Sequence, residues 1–118
     1  VAWFQGHEGL DAAGLLMGAD GFVSGMANVT PELFVALMDA WRRGDRDQLL
    51  RMQSIVSVLF QLILISGTVT PAIKLAMRLR GHGNGAMHSP HTTLADEWSG
   101  PFESILDRVD AALREARP

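Results

Sequence analysis

The chain has 118 residues, of which 47% are hydrophobic and 19% charged, and its formal net charge is −3. This length supports one domain with one core, and this balance excludes an intrinsically disordered chain. The charge gives no attraction to nucleic acids or anionic lipids, and the absence of cysteine excludes disulfides and thiolate metal sites.

The first residues predict a strand over 1–5, a loop over 6–9 and a helix over 10–17. The chain lacks an initiator methionine and opens within the strand, so we expect a piece of a longer protein. His7 and Glu8 lie in the loop at the carboxyl end of this strand, where substrate-contacting groups of α/β folds tend to lie. A solvated turn explains these two residues equally well.

The segment Gly18–Pro31 joins a helix, a very short strand and a second helix through minimal loops. Residues 21–24 predict the strand, and residues 25–30 the loop at its carboxyl end. Such an α-β-α passage is typical of an α/β barrel or a doubly wound sheet, in which chemistry is usually placed at this end of a strand. The residues therefore predict an α/β fold.

The rest of the chain is predicted to be mostly helical. Thr30 and Pro31 predict the start of a helix, Thr70 and Pro71 repeat that signal, and Asp45 is a predicted N-cap. Apolar spacing and these caps predict the following helices and one glycine-rich loop: helices 31–42, 46–66, 70–80 and 98–115, and loop 81–96.

Residues 52–73 contain no charged side chain, which raises the possibility of a membrane span. Polar residues interrupt this segment and leave an apolar block of only about a dozen positions, a length more typical of a buried core helix. We therefore expect no membrane segment, and a small helical membrane protein is the less favoured alternative.

The remaining titratable residues give weak signals. His82, His88 and His91 lie in the glycine-rich loop without the fixed spacing of metal ligands, so we expect surface histidines and no metal. Lys74 could be a Schiff-base nucleophile, but it lies near a helix start rather than a strand end, which favours a structural lysine. The glycines form no dinucleotide-binding fingerprint, and we expect no cofactor.

Several segments resemble the dihydrodipicolinate synthase / N-acetylneuraminate lyase family. They are Gly6-His7-Glu8, Leu15–Pro31, Gly44-Asp45, Thr70–Lys74, Ser89-Pro90 and Leu94–Glu97. The resemblance extends through nearly all of the chain but covers only the C-terminal portion of a typical family member. It implies the C-terminal part of a (β/α)8 TIM barrel, with residues 1–5 as strand seven and 21–24 as strand eight. Residues 1–44 would be the last two β/α units, and residues 45–118 a C-terminal helical extension.

The resemblance also implies a function. Family members are class I, Schiff-base aldolase-type lyases or synthases that act on pyruvate or another 2-oxo acid. Their catalytic lysine and proton-relaying tyrosine lie on earlier strands, so we expect no catalytic residue in this chain and no activity of the chain alone. The implied partners are the 2-oxo acid, the remainder of the barrel and further copies in a dimer or tetramer, and the implied location is cytoplasmic.

Four positions match substrate-binding positions of the family. Gly6 matches a glycine whose backbone borders the substrate, and Glu8 matches an acid that contacts substrate hydroxyls in several sialic-acid lyases. Val23 matches a residue whose carbonyl oxygen faces the imine, and Ser24 follows it at the barrel mouth.

The chain departs from the sialic-acid lyases at Gly9, where they place a second acid, and at Gly25, where they place a serine. The turn 23–28 is closer to synthase-like and sugar-acid aldolase members.

A non-enzymatic helical interaction module is the alternative function, because the chain is mostly helical and holds no complete catalytic set. Two strands without neighbours also predict that the chain alone is only marginally stable.

Overall fold

The computed structural model describes residues 1–116; the predicted 45–118 segment therefore ends in two residues that lie outside the described part. The described part contains two short strands, β1 (Phe4–Gln5) and β2 (Gly21–Phe22). Its α-helices are α1 (Asp11–Leu16), α2 (Pro31–Arg42), α3 (Arg46–Ser66), α4 (Thr70–Leu79) and α5 (Ser99–Ala116). Single 3-10 turns lie at Glu8–Leu10, Met26–Asn28 and Asp96–Trp98.

The two strands are parallel and are connected by α1, as the α-β-α pattern requires. Phe4 pairs with Gly21 and Gln5 with Phe22. Both observed strands are shorter than the predicted strands 1–5 and 21–24. Within residues 1–116 each strand pairs with one neighbour, so only the residues that face each other across this single pair form the sheet. Flanking hydrogen bonds nevertheless continue the pairing on both sides, from Asp20 N–H to the Trp3 carbonyl and from Val23 N–H to the Gln5 carbonyl, both at 2.8 Å.

The helix bounds follow the sequence pattern closely. The predicted helices 31–42 and 46–66 are confirmed at both ends as α2 and α3. Helix α4 ends one residue earlier than predicted, and α5 is displaced by one residue from the predicted range. Long amphipathic helices are specified by a repeated pattern, so their bounds are well predicted from local residues alone.

The predicted caps have different outcomes. Asp45 caps α3 as expected, because its Oδ1 accepts from the Gln48 N–H at 3.0 Å. Thr30 holds the predicted N-cap position of α2 but makes no side-chain cap; it is fully buried, and its hydroxyl accepts from Arg80 Nη2 at 3.2 Å. Thr70 is the first residue of α4 rather than its cap.

Helix α3 forms the centre of the core. It packs against α1, α2, α4 and α5, and the glycine Gly67 ends it in the left-handed conformation at φ 69°. Its buried side chains lie on one face: Leu49, Met52, Ile55, Val56, Leu59, Leu62 and Ile63. Within residues 1–116 it is the one helix whose length and composition would allow a membrane span, and one of its faces is buried against the other helices.

A group of polar side chains joins the helices α2, α4 and α5. The guanidinium of Arg80, at the end of α4, forms two hydrogen bonds to the Asp110 carboxylate of α5, at 2.6 and 2.7 Å. Its bond to Thr30 adds the start of α2. The loop after β2, which leads into α2, is therefore tied to α4 and α5.

Candidate functional site

The loops that follow β1 and β2 meet at the carboxyl ends of the two strands. Glu8, in the first loop, is only 9% exposed. Its Oε1 accepts from the Ser24 hydroxyl at 3.1 Å and from the buried Met26 N–H at 3.2 Å, both in the second loop. One carboxylate oxygen therefore fixes the two loops against each other.

The first loop is ordered by side chains that bind its backbone. The Gln5 Oε1 accepts from the N–H groups of Gly6 and His7, at 2.8 and 3.2 Å. His7 Nδ1 accepts from the Gly9 N–H at 3.1 Å. The exposed His7 ring also packs against Phe60 of α3, with ring centroids 5.3 Å apart.

Helix α3 contributes a polar contact to the same loop. Gln53 Oε1 accepts from the Ala12 N–H at 2.7 Å, and its Nε2 donates to the Glu8 carbonyl at 3.0 Å. A single amide group thus satisfies one donor and one acceptor of a turn that is more than forty residues away along the chain.

The second loop is packed tightly at Gly25. A Cβ at this position would lie 2.7 Å from Ile73 Cδ1 of α4 and 3.6 Å from Glu8 Oε1. Asn28 closes the turn, since its Nδ2 donates to the Gly25 carbonyl at 3.0 Å. Only glycine fits between the carboxylate and α4 without a movement of Ile73.

Asp11 is an unexpected feature of the site. It is fully buried at the start of α1, and neither carboxyl oxygen has a hydrogen-bond partner within residues 1–116. Desolvation by burial, and secondarily the charge of Glu8, raise its pKa from 3.8 to about 7. Sequence reasoning missed this residue, because an acid in the first turn of a helix is ordinarily a solvated, favourable feature.

The four sequence-predicted site residues all lie at this end of the strands. Glu8 and Ser24 are in direct contact. Gly6 is exposed immediately after β1, and Val23, which follows β2, is 70% exposed. Reasoning from the sequence also missed Gln53, whose role depends on a contact between distant segments.

The other candidate residues lie outside the site. Lys74 is exposed on α4, and His82, His88 and His91 are all exposed within the predicted loop 81–96. In the part of the chain that the structure describes, no group of three or more His, Cys, Asp or Glu residues is arranged to hold a metal ion. The candidate site offers the Glu8 carboxylate, the Ser24 hydroxyl and the backbone groups of the two loops. Groups of these kinds can position a substrate.

Comparison with known proteins gives a consistent result. The family model for the dihydrodipicolinate synthetase family matches residues 1–109. An uncharacterized DapA-like lyase of Halobacterium salinarum is 36% identical over 106 residues, which cover 90% of this chain and 34% of that protein. The 4-hydroxy-tetrahydrodipicolinate synthase of Haloarcula marismortui is 32% identical over 109 residues, covering 92% of this chain and 35% of the enzyme.

A solved structure shares the fold. YagE, a prophage protein of Escherichia coli K12 from the dihydrodipicolinic acid synthase family solved in complex with pyruvate, superimposes with a TM-score of 0.84 at 23% identity. The superposition covers 92% of this chain and 37% of that one. The chain thus spans about a third of the length of the curated relatives it matches.

Proposed function

Because this chain belongs to the dihydrodipicolinate synthetase family, we propose that it is the C-terminal part of a class I, Schiff-base lyase or synthase. Its substrate would be pyruvate or another 2-oxo acid. The observation that carries this proposal is the Glu8 carboxylate, which joins two loops at the carboxyl ends of adjacent parallel strands. In α/β barrels, this end of the strands is where active sites are built.

In this proposal residues 1–44 are the last two β/α units of a TIM barrel, with β1 and β2 as its strands seven and eight. Residues 45–118 are a C-terminal helical extension. The exposure of apolar side chains on the sheet supports this division, since Trp3, Phe4 and Val23 are 47%, 54% and 70% exposed. The other barrel strands and helices would cover this apolar surface.

An open groove of about 430 Å³ lies beside the sheet. It is lined mainly by apolar side chains of β1, β2 and α2, among them Phe4, Phe22, Phe34, Val35 and Met38. A groove of this composition next to a strand edge fits a neighbouring barrel element better than solvent.

The chemistry would start at a lysine on an earlier strand. Its amine adds to C2 of the 2-oxo acid and water leaves, which gives an imine that withdraws electrons from C3. A C3 proton or a C3–C4 bond is then lost more easily. In this chain the Val23 carbonyl and the Ser24 hydroxyl would border the imine, and the Gly6 backbone would border the substrate.

Glu8 has a more specific role in this proposal than contact with substrate hydroxyls alone. Its Oε1 is already occupied by Ser24 and Met26, so the carboxylate holds the second loop in place for the substrate. We further propose a cytoplasmic homo-oligomer, a dimer or tetramer, that requires no cofactor and binds neither nucleic acid nor membrane.

Reductive trapping tests the proposal. The polypeptide that carries this chain at its full natural length is incubated with pyruvate and sodium borohydride, which reduces an imine to a stable secondary amine. We expect one pyruvate-derived group per polypeptide, detected by intact-mass spectrometry, and none when pyruvate is omitted. The Lys74→Arg variant should be labelled equally, because Lys74 is exposed on α4.

Two results would refute the proposal. If the full-length polypeptide forms no adduct, the chain is not part of a Schiff-base enzyme, and the alternative of a non-enzymatic helical module is favoured. If Lys74→Arg abolishes the adduct, the nucleophile lies within this chain, and the division proposed above is wrong.

A further inference from the structure

Gln53 lies on α3, far from both strands in sequence, yet it contacts the loop that carries Glu8. We infer that Gln53 is a positioning residue for the proposed site: its amide holds the Glu8 turn, and through Glu8 it orders the loop that contains Ser24. This inference rests on the proposed function for its catalytic consequence. The positioning itself can be tested without that function.

The geometry of the Gln53 amide is specific to the turn that it binds. The oxygen accepts from the Ala12 N–H at 2.7 Å, and the nitrogen donates to the Glu8 carbonyl at 3.0 Å. The Glu8 carbonyl belongs to the first residue of the 3-10 turn Glu8–Leu10, and the Ala12 N–H lies in the first turn of α1. One planar group therefore links the start of the turn to the first turn of α1. The Glu8 carbonyl also accepts from the Asp11 N–H, so loss of the Gln53 oxygen, which is the partner of the Ala12 N–H, is the more costly of the two losses.

The same face of α3 supports the loop a second time. Phe60 lies seven residues after Gln53, a spacing that brings two side chains to one face of a helix. Its ring packs against His7 at 5.3 Å between centroids. The polar clamp and the apolar contact both act on residues 7–12, so α3 holds this loop at two points.

The connection from Gln53 to the second loop passes through the Glu8 side chain. Fixing the backbone of Glu8 fixes the start of its side chain, whose Oε1 binds the Ser24 hydroxyl and the Met26 N–H. Since Glu8 is 9% exposed, few alternative positions are open to this carboxylate. Loss of the Gln53 clamp should therefore loosen Ser24 and Met26, although neither residue touches Gln53.

The test compares Gln53→Met with Gln61→Met in the full-length polypeptide. Methionine keeps the length of the side chain and removes both hydrogen bonds. Gln61 is a matched control on the same helix, because within residues 1–116 its Oε1 accepts from Arg108 of α5, at 3.3 Å, and its side chain makes no hydrogen bond to the Glu8 loop. Gln53→Asn is a second variant, still polar but one methylene too short to bridge both groups.

The first measurement is amide hydrogen exchange by NMR. We expect the Ala12 and Met26 amides to exchange about tenfold faster or more in Gln53→Met and Gln53→Asn, as the loss of a hydrogen bond predicts. Gln61→Met should leave both amides unchanged. The inference is overturned if neither Gln53 variant changes them, or if Gln61→Met changes them equally.

The second measurement is deuterium incorporation at C3 of pyruvate in D₂O, which follows loss of a C3 proton from the imine. We expect the rate at saturating pyruvate to fall about tenfold in both Gln53 variants, while the pyruvate KM changes by less than about threefold. A loss of folded enzyme would also lower this rate at constant KM, so the rate is expressed per borohydride-labelled site; a purely structural role would leave the rate per labelled site unchanged. Borohydride labelling separates the two claims: an unlabelled wild type refutes the proposed function, whereas the amide exchange of Ala12 and Met26 still decides the role of Gln53.

Discussion

At the scale of single residues, hydrogen bonding gives two neighbouring buried carboxyl groups different roles. Glu8 accepts two hydrogen bonds with one oxygen and joins the two loops of the candidate site. Asp11, three positions later, is fully buried without a hydrogen-bond partner in the described part of the chain. An uncompensated buried carboxylate is costly, so the pKa of Asp11 is raised to about 7 and the group keeps its proton below that pH.

The pKa of Asp11 makes stability depend on pH. Burial, and secondarily Glu8, raise this pKa from 3.8 to about 7, so the folded form keeps a proton that the unfolded form has lost above pH 4. The stabilising contribution of that proton is therefore lost as the pH rises toward and through 7. We expect the free energy of unfolding to fall by about 2 kcal/mol between pH 5 and pH 8.

Urea unfolding of the full-length polypeptide at several pH values measures this dependence. The Asp11→Asn variant should lose it, because an amide does not titrate. The control Asp47→Asn, at an exposed position of α3, should keep it. A stability that rises with pH between 5 and 8, or an unchanged slope in Asp11→Asn, would contradict the assignment.

Gly25 gives a second prediction at this scale. In Gly25→Ala the new Cβ would lie 2.7 Å from Ile73 Cδ1, so we expect a loss of about 1 kcal/mol in stability. Ile73→Val removes that methyl group, and the double variant should recover most of the loss. Gly6→Ala is the control, since a Cβ there meets nothing within 4 Å. Additive losses in the double variant, measured by thermal unfolding, would argue against this contact.

At the scale of elements, close packing decides where helices meet the sheet. Helix α1 approaches β1 so closely at Gly14 that a Cβ would lie 2.9 Å from Gln5 Cβ and 3.1 Å from Gln5 Cγ. These atoms are near the backbone of β1, so the strand would have to move to make room for a methyl group. The crossover between the two parallel strands therefore depends on this glycine.

Gly14→Ala should destabilise the protein by about 1–3 kcal/mol as a consequence. Helix propensity alone predicts the opposite, a gain of about 0.5–1 kcal/mol from replacing glycine with alanine. Gly100→Ala in α5 is the matched comparison, since a Cβ there has open space and the change should be neutral or favourable. Equal effects at the two positions, measured by chemical unfolding, would rule out the close approach.

The ion pair between α4 and α5 allows a similar comparison. Arg80 and Asp110 are 22% and 29% exposed in their side chains, and Arg80 also binds Thr30. Asp110→Ala leaves this largely buried guanidinium without its main partner, and we expect a loss of about 1–2 kcal/mol after allowance for solvent screening. Asp96→Ala breaks the Arg78–Asp96 pair, in which Asp96 is 88% exposed, and should cost less than about 0.5 kcal/mol. Comparable losses in both variants would contradict the structural role of Arg80.

At the scale of the whole molecule, the core and the proposed site differ in completeness. The core extends over all five helices within residues 1–116, centred on α3. The sheet has two strands, and its apolar side chains Trp3, Phe4 and Val23 are exposed. A two-stranded sheet contributes little stability by itself.

Hydrogen exchange of the chain by itself tests this difference. We expect the amides of α3 and α5 to be the best protected and those of residues 1–5 to exchange within minutes, because β1 lacks a second neighbour in the described part. In the full-length polypeptide, residues 1–5 should become protected to the level of α3. Strong protection of residues 1–5 in the chain alone would show that the sheet is complete without further strands.

The sequence by itself determined the elements whose signals are local. The period of apolar residues, the Asp45 cap and the Thr-Pro starts fixed the helices 31–42 and 46–66, and the short α-β-α passage indicated parallel strands with a site at their carboxyl ends. The resemblance pointed to Glu8 and Ser24, and the structure brings these two residues into contact.

Only the tertiary structure decided how the site is held together. Gln53 reaches Glu8 and Ala12 across more than forty residues, and Thr30 binds Arg80 across fifty instead of capping its helix. Asp11 has the sequence context of a solvated helix start but is fully buried. The physical reason is common to all three: hydrogen bonds and desolvation depend on which distant segments pack together, and a local pattern of residue types carries no information about that packing.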